Sequence, residues 1–143
     1  MRILGLDIGS KRIGVAVSDE LGLTAQGLET LACTNPENDV RRILELVAQW
    51  SVDEIVVGMP YNMNGTEGDQ ARKVRAFMEL ITGSVSVPVR EWDERLSTVA
   101  AERTLLEADM SRAKRRKVID KLAAVIILQN FLDSYHHRNW SDS

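Results

Sequence analysis

Hydrophobic positions fall first into short, strand-like runs and then, from residue 35 onward, into segments with helical spacing. Residues 2–8 (RILGLDI) and 13–18 (IGVAVS) are rich in Ile, Leu and Val. Gly9, Ser10, Lys11 and Arg12 separate them, which predicts a β-hairpin. A third strand is expected over residues 28–33, after a turn in the Gly-containing stretch 21–27. Asn35 then suits a helix cap and Pro36 a first helical position, while Val40, Ile43, Leu44 and Val47 recur along one face. Residues 54–58 (EIVVG) read as a buried strand stopping at Pro60. Thr66 is expected to open a second helix carrying Ala71, Val74, Phe77, Met78 and Ile81. Residues 87–92 give another strand after the Gly83 break, and Ser97 or Thr98 starts a helix bearing Val99, Leu105 and Leu106. The last helix is expected over about 115–135, apolar on most sides after Val118 and therefore packed against the sheet. An antiparallel hairpin meander followed by strand and helix alternation implies an α/β fold, a mixed β-sheet covered by helices. The pattern predicts one domain over residues 1–135 and a polar C-terminal tail over 136–143, without repeats or linkers.

Composition narrows the function classes. The chain has 143 residues, enough for one buried core. Its 18 Lys and Arg against 21 Asp and Glu give a formal charge of -3, so any phosphate-binding surface must be local. A single cysteine, Cys33, forms no internal disulfide and fits no structural zinc cluster; a reducing cytoplasm is the expected location. The longest apolar stretches, such as 123–128, fall far below the roughly 18 residues of a membrane span. The apolar run 3–6 is interrupted at Asp7 and followed by Lys11 and Arg12, which is wrong for a signal peptide.

Three carboxylates stand out. Asp7 ends the apolar run of the first strand, where a charge must reach water or a cation, and Gly5, Gly9 and Gly14 let another chain or a ligand approach the backbone. Hydrogen bonds from the turn at Ser10 and Lys11 would explain Asp7 equally well. Asp93, Glu94 and Arg95 follow a strand at the end where open α/β sheets place ligands. Because successive residues of an extended chain face opposite sides, at most one of the two acids joins Asp7, and Glu94 is favoured. A surface pairing of Asp93 with Arg95 is the plainer reading of that tripeptide. Asp120 lies where the last helix turns from basic to apolar, one turn before the small residues Ala123 and Ala124. A helix-end charge or a partner for Arg116 accounts for it as simply.

Together, the three make a natural site for Mg²⁺ or Mn²⁺, which prefer oxygen ligands. Two such ions can bind the attacking water and the leaving oxygen of a phosphodiester without a histidine base. The two histidines, His136 and His137, sit in the polar tail and read as surface or disordered residues, and Ser10, Ser18 and Cys33 read as structural. Arg112, Lys114, Arg115, Arg116, Lys117 and Lys121 surround Asp120 and reverse the sign of the chain locally. Positive charge is unfavourable at a helix N-terminus, so a phosphate backbone is the expected partner. Lys11, Arg12 and Arg95 are further candidates for phosphate contact.

GLDIGSKRIGVAVSD (5–19), IVVGMPYNMNGTEG (55–68), EWDERLST (91–98) and RAKRRKVIDKLAAVIIL (112–128) resemble the successive motifs of the YqgF/RuvX family, over about residues 2–134. The resemblance implies a ribonuclease H-like fold and a nuclease, described both as a Holliday junction resolvase and as processing the 5′ end of pre-16S ribosomal RNA. It also implies that Asp7, Glu94 and Asp120 are catalytic and metal-binding. Structured RNA would be the substrate, with branched DNA as the alternative, ribosomal particles as further partners, and a monomer or homodimer as the active form. One departure stands: RuvC-type resolvases carry an acid on the fourth strand, whereas this strand ends Gly58, Met59, Pro60, so the second carboxylate must come from Asp93 or Glu94. An ATP-using enzyme of the actin and sugar-kinase superfamily would also fit DIGSKRIG, but such proteins need two domains to enclose a nucleotide. A noncatalytic RNA-binding protein using the basic run is the other alternative.

Overall fold

The computed structural model describes residues 1–96 and 112–141, with side chains described for 1–96 and 121–136. Its strands are β1 (Ile3–Ile8), β2 (Arg12–Ser18), β3 (Ala25–Ala32), β4 (Glu54–Met59) and β5 (Val89–Asp93). Its helices are α1 (Pro36–Gln49), α2 (Asp69–Ser84) and α3 (Arg112–Ser141), with a short 3₁₀ turn at Glu94–Leu96. The five strands form one sheet in the order β3-β2-β1-β4-β5. The β1, β2 and β3 neighbours are antiparallel, and β4 and β5 add in parallel. This is the mixed sheet that the meander and the later alternation predict.

Period-two alternation divides the sheet between two cores. Leu4, Leu6, Ile13, Val15, Ile55 and Val57 pack with α1 and α2. Ile3, Ala16 and Val56 pack with Ala123, Ala124, Ile127 and Leu128 of α3. α1 begins as its sequence predicts: Pro36 occupies the first turn, and the Asn35 side chain accepts a hydrogen bond from Asn38 N at 2.9 Å. Such a cap contributes about 1 kcal/mol.

Several boundaries differ from expectation for identifiable reasons. β3 starts at Ala25 instead of residue 28, because Asp19 closes the preceding turn by accepting from Leu23 N and Thr24 N. The β2–β3 register also slips: Val15 pairs with Glu29 and Ala16 with Gly27, leaving Leu28 as an extra residue that blurs the alternation. α2 opens at Asp69 and not at Thr66, whose amide and hydroxyl are both bonded to the Asn64 side chain. β5 is shifted to Val89–Asp93. The helix expected from Ser97 or Thr98 lies outside the described residues. α3 continues to Ser141, through the segment expected to be a polar tail, and a ring nitrogen of His136 lies 2.6 Å from the Gly22 carbonyl. Ser18 is structural as expected, accepting from Ile3 N and donating to the Asp19 carbonyl. Among the described residues, no helix is long and apolar enough to cross a membrane.

Candidate active site

Asp7 stands near the carboxyl end of β1, opposite Gly14 of β2, and is 7% exposed. Ile3 belongs to the α3 core while Leu4, Leu6 and Ile8 belong to the other, so alternation puts Asp7 on the α3 side of the sheet. The same parity sorts the acids at the end of β5. Trp92 packs on the α3 side, whereas Glu91 pairs with Arg75 of α2 at 3.0 Å. Asp93 follows Glu91 at an interval of two. Glu94 opens the 3₁₀ turn and comes back to the α3 side, where a Cβ added to Gly58 would lie 3.3 Å from its Cγ. Asp7 and Glu94 thus line one cleft of about 240 Å³, together with Ile8, Gly9, Ser10, Pro60 and Gln70.

The absent acid on β4 acquires a physical meaning here. A Cβ at Gly58 would also lie 2.5 Å from Ile127 Cδ1. A side chain on the fourth strand would occupy the space into which Glu94 folds, so the glycine and the acid at the end of β5 go together.

Asp93 is turned to other work. Arg95 donates to its carboxylate from Nε at 3.0 Å and Nη2 at 2.7 Å, and the Arg95 amide adds a bond of 2.9 Å. The Arg95 guanidinium lies over the Tyr61 ring and donates to the Met63 carbonyl. This clasp holds Asp93 below the usual carboxylate range and raises Arg95. Arg95, expected from sequence to contact phosphate, is therefore engaged as a fastener of the loop that follows β4. A folded carboxyl below its unfolded value of 3.8 adds stability above that value, and the contribution disappears as pH falls through the folded pKa. Asp93→Asn is expected to lower the urea midpoint at neutral pH by the equivalent of under about 1 kcal/mol. The gap should close in acid, and one that stays constant through the acid range would contradict this account.

A second network, not anticipated from sequence, holds the same loop. Tyr61 Oη donates to Glu91 Oε1 at 2.6 Å and accepts from Arg75 Nη2 at 2.9 Å, while Arg75 also pairs with Glu67. The Glu91 carboxylate raises the Tyr61 hydroxyl above its ordinary pKa. Gln70 was missed as well, although a signal exists: it heads the stripe Val74, Phe77, Ile81 and is polar where that face is apolar. Its Nε2 donates to the Ile8 carbonyl at 3.0 Å, tying α2 to the end of β1 beside Asp7.

The third candidate, Asp120, lies in α3, but its side chain falls outside the described residues, as do those of Arg112, Lys114, Arg115, Arg116 and Lys117. Helical spacing sets residue 120 one turn before Ala124, whose carbonyl oxygen would lie 3.3 Å from a Cβ at Gly5. Lys121 is exposed, and its stem runs over Gly27, where a Cβ would come within 2.8 Å of Lys121 Cγ. Lys11 and Arg12 occupy the β1–β2 turn, closed by Gly9 N donating to the Arg12 carbonyl. Among the described residues, no group of three His, Cys, Asp or Glu side chains could hold a metal ion. Asp7 and Glu94 supply hard oxygen donors, a set that suits Mg²⁺ or Mn²⁺ better than softer metals.

A family model described as RuvX, Holliday junction resolvase, matches residues 1–134. A "Putative pre-16S rRNA nuclease" of Desulforamulus reducens is 57% identical over 134 residues, covering 94% of this chain and 98% of that protein. One of the same name from Symbiobacterium thermophilum is 60% identical, covering 94% and 93%. Among solved structures, Thermus thermophilus RuvC in complex with a Holliday junction substrate superposes with a TM-score of 0.61 at 16% identity, covering 95% of this chain and 96% of that one. At that identity the likeness bears on the ribonuclease H-like fold.

Proposed function

The chain belongs to the RuvX family, and on that premise we propose that it is a metal-dependent nuclease, a hydrolase of phosphodiester bonds that trims the 5′ end of pre-16S ribosomal RNA. The observation that carries the proposal is the meeting of Asp7 and Glu94 in one cleft at the carboxyl ends of β1 and β5. Asp7, Glu94 and Asp120 are assigned as the ligands of Mg²⁺ or Mn²⁺. Such an ion, when bound, supplies the Lewis acidity that activates water and neutralises charge developing on the phosphate. The chain's own groups do the rest. Gly9 and Ser10 leave room for a strand to approach the carboxylates, and Gln70 fixes the end of β1. The basic residues at the start of α3, with Lys11 and Arg12, hold the phosphate backbone.

Labelled ribosomal precursor and four-way DNA junctions, each incubated with and without Mg²⁺ or Mn²⁺, test the proposal. Metal-dependent cutting of the precursor is the expected result. Cutting of the junction alone would favour the resolvase, and tight binding without cutting would favour the noncatalytic RNA-binding protein.

Converging carboxylates repel until a cation lies between them, so millimolar Mn²⁺ should raise the unfolding midpoint. At about a hundredfold excess over the dissociation constant the gain is roughly 2.7 kcal/mol, on the order of 5 to 10 °C for a chain of this size. An unchanged midpoint together with full activity in chelator would remove the metal from the proposal.

Arg115→Ala with Arg116→Ala should weaken binding about equally for all sequences, since phosphate contacts carry no base information. The slope of log affinity against log salt should flatten by roughly 2, about 1 per lost contact. Saturating cleavage should fall less than affinity. A double variant with an unchanged slope would shift the binding surface to Lys11 and Arg12.

A further inference from the structure

On the other side of the β1–β2 turn from Asp7 and Glu94, a cavity of about 330 Å³ opens between α1 and α2. It shares Ile8, Gly9, Ser10 and Gln70 with the carboxylate cleft, so the two are neighbouring rooms with a common wall. We propose that this cavity receives one unstacked nucleobase of the substrate strand, next to the phosphate presented to Asp7 and Glu94. The proposal rests on the nuclease reading and adds a base-binding subsite to it.

Four properties fit that occupant. The volume falls at the small end of ligand pockets, suited to a single base and not to a folded partner. Phe77 and Leu80 of α2 line the cavity together with Ile8 and Ile13 of the sheet, giving apolar surface against which a planar ring can pack. Polar groups are few. Asp39, 6% exposed, lines the cavity with a carboxylate whose orientation is fixed by bonds accepted from Thr34 N at 3.1 Å and Thr34 Oγ1 at 3.0 Å. Lys73 is exposed on the lining, where it complements the charge of a strand leading from cavity to cleft. A mononucleotide gains little from such a room unless its phosphate is held as well, and the shared wall provides for that.

The chain's single cysteine lines the cavity and serves as a reporter, with Cys33 Sγ lying 4.0 Å from the Gly9 carbonyl oxygen. The rate at which a small alkylating reagent modifies Cys33 would be measured in chelator, so that nothing is cut. Measurements would be made alone, with a saturating single-stranded RNA, and with a sugar-phosphate strand of equal length lacking bases. The RNA should slow modification, and the baseless strand should not. Loss of base stacking should also weaken binding of the baseless strand roughly fivefold to a hundredfold. In Ala76→Trp, an exposed wall position of α2, the cavity is filled and the preference for the strand with bases should vanish, while the salt slope stays.

Equal protection by both strands, no protection by a bound RNA, or failure to bind RNA would each overturn the proposal. If Cys33 resists the reagent, Cys33→Ser combined with Ala76→Cys reads the same cavity from its exposed wall. Because no cleavage is involved, a chain that shields its cysteine but never cuts would overturn the nuclease reading and leave the base pocket standing.

Discussion

Asp7→Asn and Glu94→Gln are each expected to lower metal-dependent cleavage by at least about a thousandfold, since on the proposed assignment each removes a charged ligand at nearly constant volume. Combining them should cost little more than either alone, because residues that act as one unit are not additive. Stability separates the explanations. In chelator, Asp7→Asn should still unfold in one cooperative transition, because an amide of nearly equal volume replaces the carboxylate. With Mn²⁺ the wild type should gain and the amide variant should not. Asp93→Asn is the matched control: clasped by Arg95 and absent from the cleft, Asp93 should be replaceable with less than about a tenfold loss of activity. Full activity in Glu94→Gln with loss in Asp93→Asn would reverse the assignment at the end of β5.

How far the chain could be read without coordinates follows from where each signal is stored. The hairpin, the Asn35–Pro36 helix start and the buried strand before Pro60 are local patterns and appear where expected. β3 is less legible because the extra Leu28 breaks its alternation. The end of α3 is obscured because its polar sequence resembles a tail, although Gln129 and His136 tie the helix to the β2–β3 turn. Within the site, Asp7 is visible as an acid ending an apolar run. Parity limits the choice at the end of β5 to one of Asp93 and Glu94, and only Gly58 explains how Glu94, one residue past the strand, has room to fold back. The loop network of Tyr61, Glu67, Arg75 and Glu91 and the cavity beside Ile8 join elements far apart in sequence. No window of residues contains them.

Replacing Gly5 with valine is expected to be the most damaging single change outside the carboxylates. A Cβ at this position would lie 2.8 Å from Leu128 Cβ and 3.3 Å from the Ala124 carbonyl oxygen. Neither is the far end of a flexible side chain, so relief requires α3 to move away from β1 as a body. Overpacking of this kind costs about 1 to 3 kcal/mol, and the two further methyl groups of valine place it at the upper end. The unfolding midpoint should therefore fall by several degrees, on the order of 5 to 10 °C. The same displacement lifts the turn of α3 that carries Asp120, one turn before Ala124, away from the strand that carries Asp7. Activity should then fall far more than stability does, even at temperatures where the variant is fully folded. At Gly58 the obstacle is Ile127 Cδ1, the tip of a side chain that can swing aside, so Gly58→Ala should cost less stability than Gly5→Ala. Measuring the two alanine variants and Gly5→Val by thermal unfolding and by cleavage at 25 °C tests the ordering. If Gly5→Val keeps both its midpoint and its activity, the proposed role of Asp120 as a third carboxylate does not depend on close apposition of α3 to β1.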